Sequence, residues 1–125
     1  DLDEAKKKFA SALRHDDDDT LFSLAEELQA IGFNNQARRI AEKLLQKYPD
    51  ADDVRLILAE LAISDDQTDE ALLQLDHISQ SSEVYPQSLL TAADLYQSLN
   101  LPEVSEQKLL TAKALLPDEP VVDFA

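Results

Sequence analysis

Few residues in this sequence could do chemistry, and their spacing limits what they could do. His15 and His77 are the only histidines, 62 positions apart. Neither has a second histidine three or four residues away, the spacing that sets two imidazoles on one helical face around a metal. Cysteine is absent, which removes disulfides, thiolate metal sites and cysteine nucleophiles together. The run Asp16-Asp17-Asp18-Asp19 offers the hard oxygens that calcium and magnesium prefer, but without calcium-loop spacing or its glycine. It reads as the solvated start of a helix. Asp65 and Asp66 are a carboxylate pair of the kind used for acid–base work, yet nothing around them in sequence supplies the desolvation such work requires. No HExxH motif and no phosphate-binding loop occurs. The chain is therefore expected not to be an enzyme, and no cofactor or metal is expected. Two basic features remain, Lys6-Lys7-Lys8 and the four-residue series Arg39, Lys43, Lys47, the latter diluted by Glu42. Both read as solvated helix faces.

Composition says what must carry these residues. Of 125 residues, 44% are apolar and 30% charged, with one glycine and five prolines. That is a folding sequence of long helices with few sharp turns, not a turn-rich sheet. The net charge of −15 disfavours nucleic acid and anionic membrane surfaces as partners, since both need clustered Lys and Arg. No apolar run approaches the ~20 residues of a membrane span, and Asp1-Leu2-Asp3-Glu4 is not the basic-then-apolar opening of a signal peptide. A cytoplasmic location is the expectation. With no methionine and a start in mid-pattern, the chain reads as part of something longer.

The organising feature is a 34-residue repeat. Leu24-Ala25, Leu58-Ala59 and Ala92-Ala93 stand at equal steps, as do the small residues Ala37, Ala71 and Ser105. The proline of Tyr48-Pro49 returns two steps later in Leu116-Pro117, with Glu83 between them. Units are drawn at 18–51, 52–85 and 86–119. Within unit one, Leu21, Leu24, Ala25 and Leu28 share one face of a first helix; Ala37, Ile40, Ala41, Leu44 and Leu45 form the stripe of a second. Small residues at positions eight and twenty let the two helices of a hairpin approach closely. A lone hairpin cannot cover its own apolar stripe, so hairpins must stack. Asp16–Asp19 and Asp52-Asp53 suit helix starts, Pro86 a first turn and Gly32 a helix end, while Ser79–Ser82 is a polar connector. Residues 1–17, with Leu2, Ala5, Phe9, Ala12 and Leu13, read as the second helix of a truncated preceding unit, and 120–125 as the opening of a further one.

The period and these columns resemble the tetratricopeptide repeat family over about the whole chain, and a looser likeness joins it to tetratricopeptide proteins of Gram-positive bacteria. Gly32 keeps the family's preference at position fifteen, whereas Asp66 and Asn100 depart from it. Position twenty-four, often aromatic in the family, holds Ala41, Leu75 and Leu109. The resemblance implies an all-α, right-handed solenoid of stacked antiparallel hairpins, about seven helices here. It also implies that positions two, five, nine and twelve of the first helices line a concave groove. Those columns read Asp19, Asp53, Gln87; Phe22, Leu56, Leu90; Glu26, Glu60, Asp94; and Gln29, Ile63, Gln97. The family's carboxylate clamp, built from Lys, Arg and Asn, is absent: its matching positions hold Phe22 and Glu26, Ile57, and Gln87 and Thr91.

The resulting expectation is a protein- or peptide-binding scaffold for a basic, partly apolar partner. Its candidate groove residues are Phe22, Glu26, Leu56, Glu60, Ile63, Leu90, Asp94 and Gln97. One alternative is a structural module that self-associates end to end, through surfaces such as Val121, Val122 and Phe124. Another is the receptor domain for a signalling peptide. In all three the apolar column at position five has a competing role, as packing between neighbouring hairpins.

Overall fold

Small residues decide how closely the helices approach. In the computed structural model, which describes residues 17–116 and the single positions 3, 4, 7 and 11, the alanines at position eight (Ala25, Ala59, Ala93) and at position twenty (Ala37, Ala71) are fully buried or nearly so. Ser105, the third member of the second column, is buried too, and its hydroxyl donates to the Ala93 carbonyl at 2.8 Å. The polar member of the column is thus satisfied by the backbone of the helix it packs against, as burial of a hydroxyl requires.

Six helices follow one another among the described residues, with no strand: α1 (Asp18–Ala30), α2 (Asn34–Lys47), α3 (Asp52–Ser64), α4 (Thr68–Asp76), α5 (Tyr85–Ser98) and α6 (Pro102–Leu115). Asp3, Glu4, Lys7 and Ser11 are also helical. The structure is all-α, and consecutive helices pack as hairpins: α1 with α2, α3 with α4, α5 with α6. The expectations placed on residues 1–17 and 120–125, including His15, fall almost wholly outside the described residues.

All three hairpin turns are built alike. The N–H of position sixteen reaches back five residues, Phe33 to the Leu28 carbonyl (2.8 Å), Gln67 to Ala62 (2.8 Å) and Leu101 to Tyr96 (2.9 Å). The residue before it is left-handed each time: Gly32 at φ 88°, Asp66 at 59°, Asn100 at 67°. This is the Schellman closure of a helix C-terminus. The sequence departs from glycine at position fifteen, but not from the conformation; Asp and Asn are the non-glycine residues that best tolerate it.

Helix starts are less uniform. Asp17 caps α1, accepting from the Thr20 N–H at 2.8 Å, and Pro86 lies in the first turn of α5. The expectation that Asp52 and Asp53 cap α3 needs correcting. Ala51 occupies the cap position without a side-chain bond, Asp53 accepts only from its neighbour Val54 (2.8 Å), and Asp52 accepts from the Ser79 N–H (3.4 Å). Asp52 therefore closes the second hairpin at its open end. That end is loose because α4 stops at Asp76 and serines hold positions 79, 81 and 82. Serine is a weak helix former that competes for backbone bonds.

Two apolar clusters hold the stack. One joins α1, α2 and α3 through residues such as Leu21, Ile40, Leu44, Ile57 and Leu61; the other joins α3, α4 and α5 through Leu56, Ala62, Leu75, Ile78 and Leu95. α3 contributes to both, which is why seven of its side chains are buried. α2 is the basic helix between acidic neighbours, and its charges are used: Lys47 pairs with Asp18 of α1 (2.9 Å), and Arg38 pairs with Asp65 beyond α3.

Candidate peptide-binding groove

The first helices α1, α3 and α5 carry all eight candidate groove residues. Glu26, Asp94 and Gln97 are exposed. Phe22, Glu60, Ile63 and Leu90 are half-buried. Leu56 requires a correction. It is only 8% exposed and belongs to the cluster that α3 shares with Ala92 and Leu95 of α5. α3 is covered from both sides, so its position-five side chain is spent on stacking, whereas Phe22 and Leu90 keep open surface. Ile63 also packs against that second cluster. The apolar column is thus two half-exposed anchors around a sealed centre.

The carboxylate column is more continuous. Glu60 accepts a long hydrogen bond from Gln29 Nε2 of α1 (3.4 Å), linking positions nine and twelve of neighbouring hairpins. Burial pushes the Glu60 carboxyl above its usual range; the Gln29 bond opposes this, and the charge on Glu26 adds to it. A half-buried acid beside another acid, with no cation paired to it among the described residues, leaves negative potential on the floor of the groove.

At the N-terminal ends of α1 and α3 a cavity of about 420 Å³ opens between Asp19, Phe22, Tyr48, Asp53 and Val54, with Asp18 on its wall. Asp18 is the hub of this wall. Its carboxylate accepts from the Tyr48 hydroxyl and from Lys47, which together hold it below the ordinary aspartate range. Lys47 also lies 5.5 Å from the centre of the Tyr48 ring. Asp19 and Asp53 were legible as a repeat column; the Asp18–Lys47–Tyr48 cluster was not, because it joins the start of one helix to the end of the next.

A larger cleft, about 840 Å³, lies between α2, α3 and α4, and none of the carboxylate column lines it. Its floor includes Leu45, Leu58 and Ala62. On its walls Arg55 donates to Gln74 Oε1 (3.0 Å) and to the Pro49 carbonyl (2.9 Å), while Gln74 donates to Glu70 (2.9 Å). No column announced it, since positions four and twenty-one change character from unit to unit. The remaining candidates for chemistry are dispersed. His77 is exposed, with Nδ1 2.8 Å from the Leu73 carbonyl one turn earlier. Among the described residues no group of three or more His, Cys, Asp or Glu could hold a metal ion, and no helix is long and apolar enough to cross a membrane.

Stacked helical hairpins with a 34-residue period, small residues at the hairpin contacts and a side-chain-lined groove define a helical-repeat protein. Comparison makes the class specific. A family described as "Tetratricopeptide repeat" matches residues 34–92, and one described as "YpiA-like, tetratricopeptide repeats" matches 97–125. The "TPR repeat-containing protein YpiA" of Bacillus subtilis (strain 168) is 40% identical over 111 residues, which is 89% of this chain but 26% of that protein. The chain belongs to the tetratricopeptide repeat family and is similar to a protein of a Gram-positive bacterium. It spans about a quarter of that relative's length. Tetratricopeptide arrays serve generally as protein-interaction scaffolds.

Proposed function

We propose that the array is a non-catalytic scaffold whose first-helix groove takes a basic, partly apolar peptide or helix of another protein. The observation that carries this reading is the carboxylate column Glu26, Glu60 and Asp94, which has no cation paired to it among the described residues, with Glu60 half-buried, flanked by the half-exposed anchors Phe22 and Leu90. Apolar anchors supply most of the affinity as they leave water. The carboxylates set orientation and association rate. Asp19 and Asp53 beside Phe22 suit the ammonium or guanidinium of a partner side chain whose aliphatic stem lies on the ring. Glu60 would ionise fully as a cation docks, so binding should strengthen as pH rises through its elevated pKa.

The test is titration with a peptide alternating Lys or Arg with Leu. Ion pairs of this kind contribute about 0.2–1 kcal/mol each, so three give a few-fold to ~150-fold in affinity if additive. Replacing Glu26, Glu60 and Asp94 with Lys should lose at least the lower part of that range and abolish the salt dependence. Phe22→Ala should chiefly speed dissociation. Unchanged affinity in both variants, with helicity intact, would move the site away from this groove.

A further inference from the structure

The cleft between α2 and α4 is lined by polar side chains at positions where unit one is apolar. Positions four and twenty-three of unit one hold Leu21 and Ile40, 2% and 0% exposed, in a single core cluster. In unit two the same positions hold Arg55 and Gln74. Gln74 is buried, and both its amide atoms are used: Oε1 accepts from Arg55, and Nε2 donates to Glu70. Arg55 donates to two neutral oxygens, those of Gln74 and of the Pro49 carbonyl, and forms no ion pair among the described residues. A guanidinium has five N–H donors, so this half-buried cation keeps both donors and unbalanced charge at the cleft wall. A polar pair at such a place gives no more stability than the apolar pair of unit one, and it sits in the unit with the shortest helix.

Charge also differs between the two ends of the cleft. Arg38 and Asp65 neutralise each other near the starts of α2 and α4, where Glu42 and Glu70 add acid. Pro49 and Arg55 lie at the other end, and Leu45, Leu58 and Ala62 form the floor between. From Arg38 to Gln46, α2 rises about 12 Å, the length of about three to four extended residues. We propose that this cleft binds an extended segment of a partner protein, whose aspartate or glutamate side chain pairs with Arg55 and whose aliphatic side chain lies on the floor. The floor supplies affinity, and Arg55 supplies the preference for an acid over its amide. Glu42 and Glu70 repel a second acid at the far end, so charge fixes which way the segment lies. The site is separate from the first-helix groove and takes a contact of opposite sign. So short a segment is expected to bind on the order of 100 μM by itself.

The test is an NMR titration of the isotope-labelled chain with a peptide of two leucines and one glutamate, capped at both ends so that the glutamate carries its only carboxylate. Shifts should centre on Leu45, Arg55 and Leu58, and glutamine in place of the peptide's glutamate should weaken binding about tenfold. Arg55→Gln should erase that difference. Arg55→Leu with Gln74→Ile recreates the pair of unit one. It should keep or raise the melting temperature while weakening the glutamate peptide about tenfold. A variant outside this network guards against a general charge effect. Glu42→Lys, at an exposed position of the cleft, should tighten the glutamate peptide at least about threefold, whereas Asp94→Lys, equal in net charge, should change it by less than about twofold. Equal affinity for the glutamate and glutamine peptides, shifts centred on Phe22 and Leu90, a preference for glutamate that survives Arg55→Gln, or a Glu42→Lys effect no larger than that of Asp94→Lys would each overturn the proposal.

Discussion

At position fifteen the same backbone is met by three different residues, and its cost differs among them. Gly32 at φ 88° has open space where a Cβ would point. The penalty for Gly32→Ala is thus purely conformational, about 1 kcal/mol, and should appear as a lowered denaturation midpoint with unchanged slope. Asn100→Gly removes the side-chain penalty in the same conformation but adds freedom to the unfolded chain. It should be neutral to stabilising by up to about 0.5 kcal/mol. Opposite signs at the two positions, measured by denaturant unfolding, are the expected result. Glu60 makes a second residue-level case. Its pKa is raised in the folded state mainly by burial, so the folded protein binds its proton more tightly than the unfolded chain. Its unfavourable contribution is absent below the ordinary value of 4.5 and develops as pH rises through the elevated folded value. Glu60→Gln should therefore raise the melting temperature at neutral pH, and the gain should shrink on acidification. Asp17 and Asp18 run the other way: both are held low by hydrogen bonds, so what they contribute is lost as pH falls through the lowered values.

Between elements, the hairpin is governed by how little space lies at its contacts. Ala59 is fully buried in α3, the helix that serves both apolar clusters. Ala59→Leu should destabilise by about 1–3 kcal/mol through overpacking; a variant that melts like wild type would place the helix contact elsewhere. Ser105→Ala tests the third hairpin differently. It removes a buried hydroxyl and its bond to the Ala93 carbonyl while matching the alanine of the other two units. The lost bond, about 1 kcal/mol, is partly offset by no longer burying a hydroxyl, so the change should be smaller than that of Ala59→Leu. The second hairpin has the least help from its own second helix, since α4 has 9 residues where α2 and α6 have 14. Arg55, bridging Gln74 and the Pro49 carbonyl, and Asp52, meeting Ser79, brace it.

Across the whole molecule, charge is distributed against stability. Units 18–51, 52–85 and 86–119 carry net −2, −8 and −3. The middle unit also has the short helix, so self-repulsion and thin packing coincide there. Raising salt from low to moderate concentration should lift the melting temperature modestly by screening; a fall would mean that attractive networks such as Asp18–Lys47 outweigh the repulsion. Much of this architecture was legible beforehand. The alanine columns, Pro86 in the first turn of α5, the Ser-rich connector and the helical class follow from residue type, size and period. The order of the hairpins follows because a stripe that cannot cover itself must be covered by its neighbour.

The 34-residue spacing by itself determined which residues are equivalent, because one backbone geometry repeated along a stack makes like demands at like positions. It could not determine how much of each equivalent residue remains exposed, since that depends on what the neighbouring helices cover. Phe22, Leu56 and Leu90 are one column in sequence, but among the described residues only Leu56 lies on a helix enclosed on both sides. Leu75 and Leu109 are one column, yet α5 follows the first and no described helix follows the second. The cavity at Phe22, the cleft at Arg55 and the Asp18–Lys47–Tyr48 cluster belong to no column at all. They arise where helix ends from different hairpins meet, and only the tertiary structure decides that, because the contacts join residues about 20–30 positions apart through packing that no single helix period encodes.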